Sequence, residues 1–471
     1  MIEAVREALE GESAWLVGGA VRDRLLERDT GAEDLDLVLD GDVRRAARRL
    51  ARATRAAAFE LSDEFGGWRV VGPGAGWQVD LTPLQGGSLE ADLAARDLTV
   101  NAMAEPLGGG DVVDPHGGRA DLAARVLRMV SPRAFADDPL RTLRVPRLAC
   151  ELSFTVDAAT ADAVREHAGG LHRVAPERVF AELKRILLHD AAVEGFVLMD
   201  RLGVTPSVLP ELSAMRGVEQ NPYHHRDVHG HTLEVLEQAI ALERDPGAVF
   251  GEDLAGPIGD LLAEPLADGL TRAGGLRLGA LLHDAAKPQT RTEFPGGRVG
   301  FPGHDVEGAA LARGTLARLR ASERLRAHVA ALTRHHLRLG FLVHEAPLDR
   351  RAIYRYLRDC EPVAADVTLL SVADRLATRG RKADEAIARH LALARELLGE
   401  ALSARAAGRP APLVRGDDLA RALRIAPGPR LGELLEAITE AQFAGEVATR
   451  DEAVALARSL LDAAPERGGP R

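Results

Sequence analysis

The sequence predicts an α+β protein, with a small N-terminal head built on a mixed sheet with helices and an all-α remainder. Three observations lead to this. Up to about residue 125, short β-branched runs (WLVGG, LDLVL, RVVG, WQVDLTPL, DLTVNAMAE, DVVDP) alternate with Ala/Arg/Leu text such as VRRAARRLARATR. From about residue 126 strand-like runs nearly vanish, and Leu and Ala recur at helical spacing to the end. At 471 residues the chain exceeds a single core, and about 150 residues per domain gives roughly three.

Element by element, the text divides into a head at 1–125, a helical region at 126–215, a histidine-marked all-α domain at 216–400 and a helical tail at 401–471. The Pro-containing VTPSVLPEL near 204–212 reads as a hinge, and DPGAVFGEDLAGPIGD as an insertion or long loop. RAAGRPAPLVRG, at 405–416, reads as a linker before the tail. The N-terminal MIEAVREALEGES is an acidic amphipathic helix, not the basic, apolar pattern of a signal peptide. No stretch approaches the ~18 apolar residues that span a bilayer. Two cysteines, Cys150 and Cys360, give no disulfide framework and suit a reducing cytosol. The net charge of -11 argues against nucleic-acid binding by the whole surface, though not against a local cluster of arginines.

The head carries the first chemistry. In WLVGGAVRDRLLERDTGAEDLDLVL a strand breaks on Gly18-Gly19, a helix exposes Arg22, and a second strand carries Asp34 and Asp36. Residues i and i+2 of a strand share a face, so the two carboxylates point together and offer hard oxygen donors to Mg²⁺. The glycines let backbone N–H groups approach a triphosphate, and Arg22 adds a charge-assisted contact. Asp80, in WQVDLTPL, is a candidate third carboxylate, with Val79 and Leu81 facing the other way. Alone, a DxD on a strand is as often an ordinary surface feature.

Five ordered segments remove that ambiguity: LVGGAVRD…EDLDLVL, RDLTVNAMA, DPHGGRADL, DDPLRTLRVPRLA and ERVFAELKRIL. The chain resembles the class II tRNA nucleotidyltransferases, the bacterial CCA-adding enzymes and their poly(A) polymerase relatives. The resemblance implies that Asp34 and Asp36 bind the metal, that Gly19 and Arg22 touch the triphosphate, and that Arg96 and Asp97 recognise the ribose. Ala95 stands where relatives carry a second Arg, and Leu98 where Phe is common. The family's base-reading motif, Glu-Asp-x-x-Arg, is here Asp137-Asp138-Pro139-Leu140-Arg141.

Cytosine and adenine both present an amino donor beside a ring-nitrogen acceptor, whereas uracil and guanine present the reverse. A carboxylate only accepts and a guanidinium only donates, so an Asp–Arg pair suits C or A. Asp138 and Arg141, three apart on a helix, are expected to be neighbours. Each further i+3 step lags about 60°. Arg144 can therefore join the nucleotide site, while Arg147 is expected on the tRNA, a phosphate or an internal ion pair. In ERVFAELKRIL, Glu177 is expected to cap the helix or form an ion pair, while Lys184, Arg185 and His189 are basic groups available to RNA.

In the second half, His231 (GHTLEV), His283-Asp284 (LLHDAAKP), His304 (PGHDVE), His335-His336 (TRHHLR) and Asp374 (SVADRLA) fall in the order of the HD superfamily of metal-dependent phosphohydrolases, which the region resembles. Imidazoles and carboxylates from separate helices can hold one or two divalent ions that activate a water. His231, His283, Asp284 and Asp374 form the minimal set; His304 and one or both of His335 and His336 would hold a second ion. His224 and His225, in NPYHHRDVHG, line either a substrate or only the loop.

The expectation is therefore an enzyme adding CMP and AMP from CTP and ATP to the tRNA 3′ acceptor end. It would use Mg²⁺ in the head and Mn, Ni, Fe, Co or Mg²⁺ at a phosphate-ester-hydrolysing HD site. A poly(A) polymerase or a CC-only or A-only enzyme is the alternative in the same class. A phosphohydrolase with a non-catalytic RNA-binding head is the alternative in another.

Overall fold

The structure is a computed structural model that describes residues 1–28, 34–62, 66–221, 224–379, 383–408 and 411–463. It divides into two compact units, Met1–Val208 and Leu209–Arg471. The division falls within the Pro-containing VTPSVLPEL segment.

The first unit opens on a six-stranded mixed sheet: β1 Ser13–Val17, β2 Asp34–Asp40, β3 Ala57–Ser62, β4 Gly67–Val71, β5 Gln78–Pro83 and β6 Ala104–Pro106, in the order β3-β4-β5-β2-β1-β6. Only β2 and β5 run parallel; their register sets Asp36 opposite Asp80, and β1 sets Val17 opposite Asp36. Alternation along β2 buries Leu35, Leu37 and Leu39 and leaves Asp34 and Asp36 on the other face. Helix α1, Gly19–Leu25, follows β1 directly.

Helix α2, Val43–Thr54, packs beside β4 and β5 through Val43, Ala46, Ala47, Leu50 and Ala51, a 3.6-residue stripe. Asp42 caps its start by accepting the Arg45 N–H. On the opposite face of the sheet, α3, Leu89–Ala94, places Leu89 and Leu93 with Val17, Val38 and Ala104 in a small core. Helices α4, Arg141–Leu152, and α5, Pro176–Leu188, pack together beyond the sheet.

In the second unit, six helices supply the framework: α6 Val228–Arg244, α7 Arg272–Leu282, α8 His304–Arg318, α9 Glu323–His335, α10 Ala364–Ala377 and α11 Ala383–Ala407. Every residue of α7 is buried, as expected of a helix enclosed on all sides, and α6, α9 and α10 pack around it. Its glycines permit that approach: a Cβ on Gly279 would sit 2.7 Å from Leu332. The buried Arg272 pairs with the fully buried Asp366. Three tail helices, Gly416–Leu423, Pro429–Phe443 and Arg450–Asp462, enclose Leu419, Leu434, Ile438 and Ala453.

One segment departs from its expectation. DPGAVFGEDLAGPIGD is not a long loop but two helices, Gly247–Phe250 and Glu252–Ala263. Glu252 and Asp253 suit a helix start, and Ile258, Leu261 and Leu262 bury one face, which outweighs two glycines and Pro257.

All three tryptophans, Trp15, Trp68 and Trp77, lie in the head, so tryptophan fluorescence reports its unfolding alone. Leu50→Ala removes a fully buried side chain of α2 and should cost the head about 2–5 kcal/mol in a urea titration followed by that signal.

Candidate active site and metal centre

A cavity of about 910 Å³ opens over the β2/β5 pair and is lined by Gly18, Gly19, Arg22, Asp34, Asp36, Asp80, Arg96, Asp97, Arg141 and Arg144, among others. Gly18 has φ +73°, and a Cβ there would lie 3.3 Å from the Arg96 guanidinium and 3.5 Å from Asp36 Oδ2. Glycine is thus required both by its backbone and by the groups it faces. Burial, then the charge of Asp80, raises the Asp36 carboxyl above its ordinary value. Both oxygens of Asp80 are held by Arg69, each at 2.7 Å, so the candidate third carboxylate is already ion-paired.

The remaining head residues form a fixed lattice. Arg22 is buried, doubly bonded to Asp23 at 2.8 Å and donating to Asn101 at 2.7 Å. Arg96 pairs with Asp92 one turn earlier, at 3.0 Å. Asp97 is buried; burial would raise it, but Arg144 at 3.0 Å, the Asn101 amide and the Leu98 N–H together hold it below the carboxylate range. Arg147 is 4% exposed and pairs internally with Glu182 and, at 2.6 Å, Glu151, the last of the three places expected for it.

Asp138 and Arg141 do not lie three apart on one helix. Asp138 is extended (φ −139°, ψ 101°) and α4 begins at Arg141. Pro139 is the cause, because the residue before a proline is driven out of the helical region. Asp138 instead pairs with Arg178 at 3.1 Å, while Arg141 donates to the carbonyls of Ala134 and Ala95 at 3.1 and 2.8 Å. Arg141 lines the cavity; Asp138 is not among its lining residues. The Ala95 position therefore serves through its carbonyl, and Leu98 is fully buried. Asp137 is half exposed and pairs with Arg133. Glu177 falls in the first turn of α5, where its charge suits the helix start, but no side chain caps that helix.

In the second unit the histidines converge. Ligand atoms of His231, His283 and Asp374 lie within 4.8 Å of one another, and so do those of Asp284, His304 and His336. Asp284 links the groups, at 3.2 Å from His283 Nε2, 3.4 Å from His304 Nε2 and 3.8 Å from His231 and His336. His283, His304 and His336 each set Nδ1 against the carbonyl three residues earlier, at 2.9, 2.7 and 2.7 Å. That bond places the proton of a neutral ring on Nδ1 and turns the Nε2 lone pair toward the carboxylates. Burial first, then the neighbouring His283, pushes His336 down to about 4, so it is neutral as a ligand must be. His335 faces away half-buried and joins neither group. His224 rests its ring edge against His231, 5.0 Å between centroids, and His225 pairs with Glu234.

The comparisons follow this division. A model described as the poly A polymerase head domain matches residues 14–73 and 76–128, one for a probable RNA and SrmB-binding site of polymerase A matches 153–215, and the HD domain matches 228–379. An A-adding tRNA nucleotidyltransferase of Deinococcus radiodurans is 38% identical over 96% of each chain. A CC-adding tRNA nucleotidyltransferase of Thermus thermophilus is 36% identical, covering 94% of this chain and 93% of its own. The chain belongs to the tRNA nucleotidyltransferase family. Among solved structures, a CCA-adding enzyme with ATP aligns at a TM-score of 0.65 with 20% identity, over 98% of this chain and 95% of that one. Thermotoga maritima CCA-adding enzyme complexed with tRNA aligns at 0.62 with 20% identity over the same shares. At that identity they establish a shared fold.

Both sites of this tRNA nucleotidyltransferase fit divalent cations. In the head, burial and the neighbouring Asp80 charge raise the Asp36 carboxyl, a penalty on its charged form that a cation relieves. In the HD centre, Nε2 of His231, His283 and His304 face carboxylate oxygens at 3.0, 3.2 and 3.4 Å without hydrogen-bond alignment, and Asp284 Oδ1 is likewise unsatisfied, while Oδ2 is ion-paired with Lys287. Buried lone pairs set against carboxylates are stable only around positive charge. Sequence reasoning missed Arg69 and Asp92, and gave no role to Asn101 and Arg178 although both stand inside quoted segments, RDLTVNAMA and ERVFAELKRIL. It also missed Lys287, whose Nζ is 2.6 Å from Asp284 and whose place three after that aspartate in HDAAKP was a usable signal. Asp284→Asn, which touches both groups, should strip most divalent metal from the purified protein by elemental analysis, whereas His335→Ala should leave it in place.

Proposed function

We propose that the chain transfers CMP or AMP from CTP or ATP to the 3′ end of tRNA, with residues 1–125 as catalytic head, 126–215 selecting nucleotide and binding tRNA, 216–400 as HD phosphohydrolase and 401–471 as helical tail. The observation that carries the reading is the convergence of Asp34, Asp36 and the Gly18 turn in one cavity with the Asp97–Arg144 pair. The terminal hydroxyl attacks the α-phosphate, a phosphodiester forms and pyrophosphate leaves. Mg²⁺ held by Asp34 and Asp36, with Asp80 as third carboxylate, would favour the alkoxide and neutralise phosphate charge. Backbone N–H groups at Gly18 and Gly19 and the Arg22 and Arg96 guanidinia receive the phosphates and sugar. Asp97, kept ionised by Arg144, accepts from the ribose 2′-hydroxyl. On nucleotide binding, Asp138 and Arg141 leave Arg178 and the carbonyls to read the base edge, with Arg144 and Arg147 behind them. The HD centre, with Mn, Ni, Fe, Co or Mg²⁺, hydrolyses phosphate esters, and the reducing setting suits two free buried cysteines.

A single-step specialist is the second reading, favoured by one observation. The relatives named for A or CC addition cover 94–96% of this chain, whereas the relatives named multifunctional CCA proteins cover 50–78%. Transcripts ending in -N, -NC and -NCC, each offered CTP, ATP or both, separate the cases. CCA on all three supports complete addition, and extension of -NCC alone identifies an A-adding enzyme. Long A-tails on unrelated RNA would contradict tRNA-specific addition. Asp36→Ala should abolish incorporation and leave hydrolysis of a nitrophenyl phosphodiester unchanged; loss of both would contradict separate sites. Because the chain is acidic overall, tRNA binding must rest on local cations, and affinity should fall steeply between low and moderate salt in a filter-binding assay.

A further inference from the structure

A second, smaller cavity of about 200 Å³ lies against the histidine centre and is not used by anything above. His336 and Asp374 line it, one from each of the two ligand groups, so it opens onto both halves of the centre at once. The Asp374 side chain is 25% exposed, whereas His231, His283, Asp284 and His336 are nearly sealed. The cavity is therefore the face by which a substrate can reach a bound ion. Its remaining polar walls are Ser371 and Arg375 from α10 with Thr378 just past its end, Arg389 and His390 from α11, and His344.

The charges there are unbalanced in a way that suits an anion. Among the described residues no carboxylate pairs with Arg375 or Arg389, in a chain where most arginines of this unit are ion-paired. Arg375 donates only to the Thr378 carbonyl, at 3.3 Å, and its Nε is buried without a partner. His390 is buried and held at 3.2 Å from Ser371, which fixes that wall. Two unpaired guanidinia beside a metal-ligand carboxylate make a receptor for a doubly charged phosphate.

We infer that this cavity is the substrate mouth of the histidine centre, that Arg375 and Arg389 grip the phosphate of a monoester there, and that the organic part of the ester stays largely outside. This rests on the reading of the histidine cluster as a divalent-metal centre. Size supports the last part, since ligand pockets commonly run from about 300 to 1,000 Å³ and this one is smaller. Among its described lining residues are aliphatic walls, Leu337 and Val343, no Phe, Tyr or Trp, and one exposed ring, His344, against which any base can stack. Recognition is thus of the phosphate, with no discrimination among nucleobases.

The test uses the full chain loaded with Mn²⁺ or Ni²⁺, its metal content fixed by elemental analysis. Inorganic phosphate binding is measured by calorimetry, and hydrolysis with p-nitrophenyl phosphate and the four nucleoside 3′-monophosphates. Arg389→Gln, fifteen residues from the nearest ligand, is the deciding variant. It should weaken phosphate binding and raise KM about fivefold or more, as loss of a charge-assisted bond requires, with metal content and kcat little changed. Arg389→Lys should recover part of the loss, and KM should differ less than about threefold among the four bases, below the 1–3 kcal/mol of real base discrimination. Unchanged phosphate affinity in metal-replete Arg389→Gln would overturn the inference, as would a tenfold preference for one base. A wild-type chain that takes up no metal would instead overturn the reading on which it rests.

Discussion

The head depends on one strand pairing. Because β2 and β5 run parallel in the register Asp36 opposite Asp80, while β1 sets Val17 against Asp36, three separate stretches of chain deliver their chemistry to one spot. A one-residue slip would turn Asp34 and Asp36 into the core and bring Leu35 and Leu37 to the cavity. The buried leucines of β2 therefore fix the position of the carboxylates, and Gly18 meets them because it is the next residue after Val17. Stability and function here are set by the same alternation.

The charge pattern around that spot is arranged in pairs. Arg22 with Asp23 and Asn101, Arg69 with Asp80, Arg96 with Asp92 and Arg144 with Asp97 hold each cation in a defined place before any ligand arrives. Ordering those long side chains in advance removes a cost that binding would otherwise bear. Asp36 is the exception: buried among carboxylates, it is raised and stands to gain most from a metal. The residues proposed to read the base differ again, since Asp138 and Arg141 are engaged with other partners, which base reading would require them to exchange.

Much of this was legible in the sequence, and the misses have physical causes. The strand alternation disclosed the face of Asp34 and Asp36, and the order of His and Asp named seven candidates, six of which converge, His335 being the exception. It could not choose between His335 and His336, which lie about 100° apart on a helix; only packing against α7 and α8 buries the second. Helical spacing misplaces Asp138 because Pro139 holds it extended and the helix begins only at Arg141. The Gly and Pro content of DPGAVFGEDLAGPIGD favours an insertion or long loop, but Ile258, Leu261 and Leu262 have a core to enter and the segment is helical. The pairings of Arg69 with Asp80 on a neighbouring strand and of Arg178 with Asp138, forty residues earlier, are set by tertiary packing that local spacing does not show.

The two clusters share no residue, and the residues of each lie within one compact unit. The account therefore stands first on the head carboxylates. The most direct measurement is a crystal structure with Mn²⁺ and a non-hydrolysable CTP or ATP analogue, located by anomalous scattering. A peak bonded to both Asp34 and Asp36 and to the nucleotide phosphates is the expected result. A nucleotide seated in the cavity with no cation at those two carboxylates would contradict it.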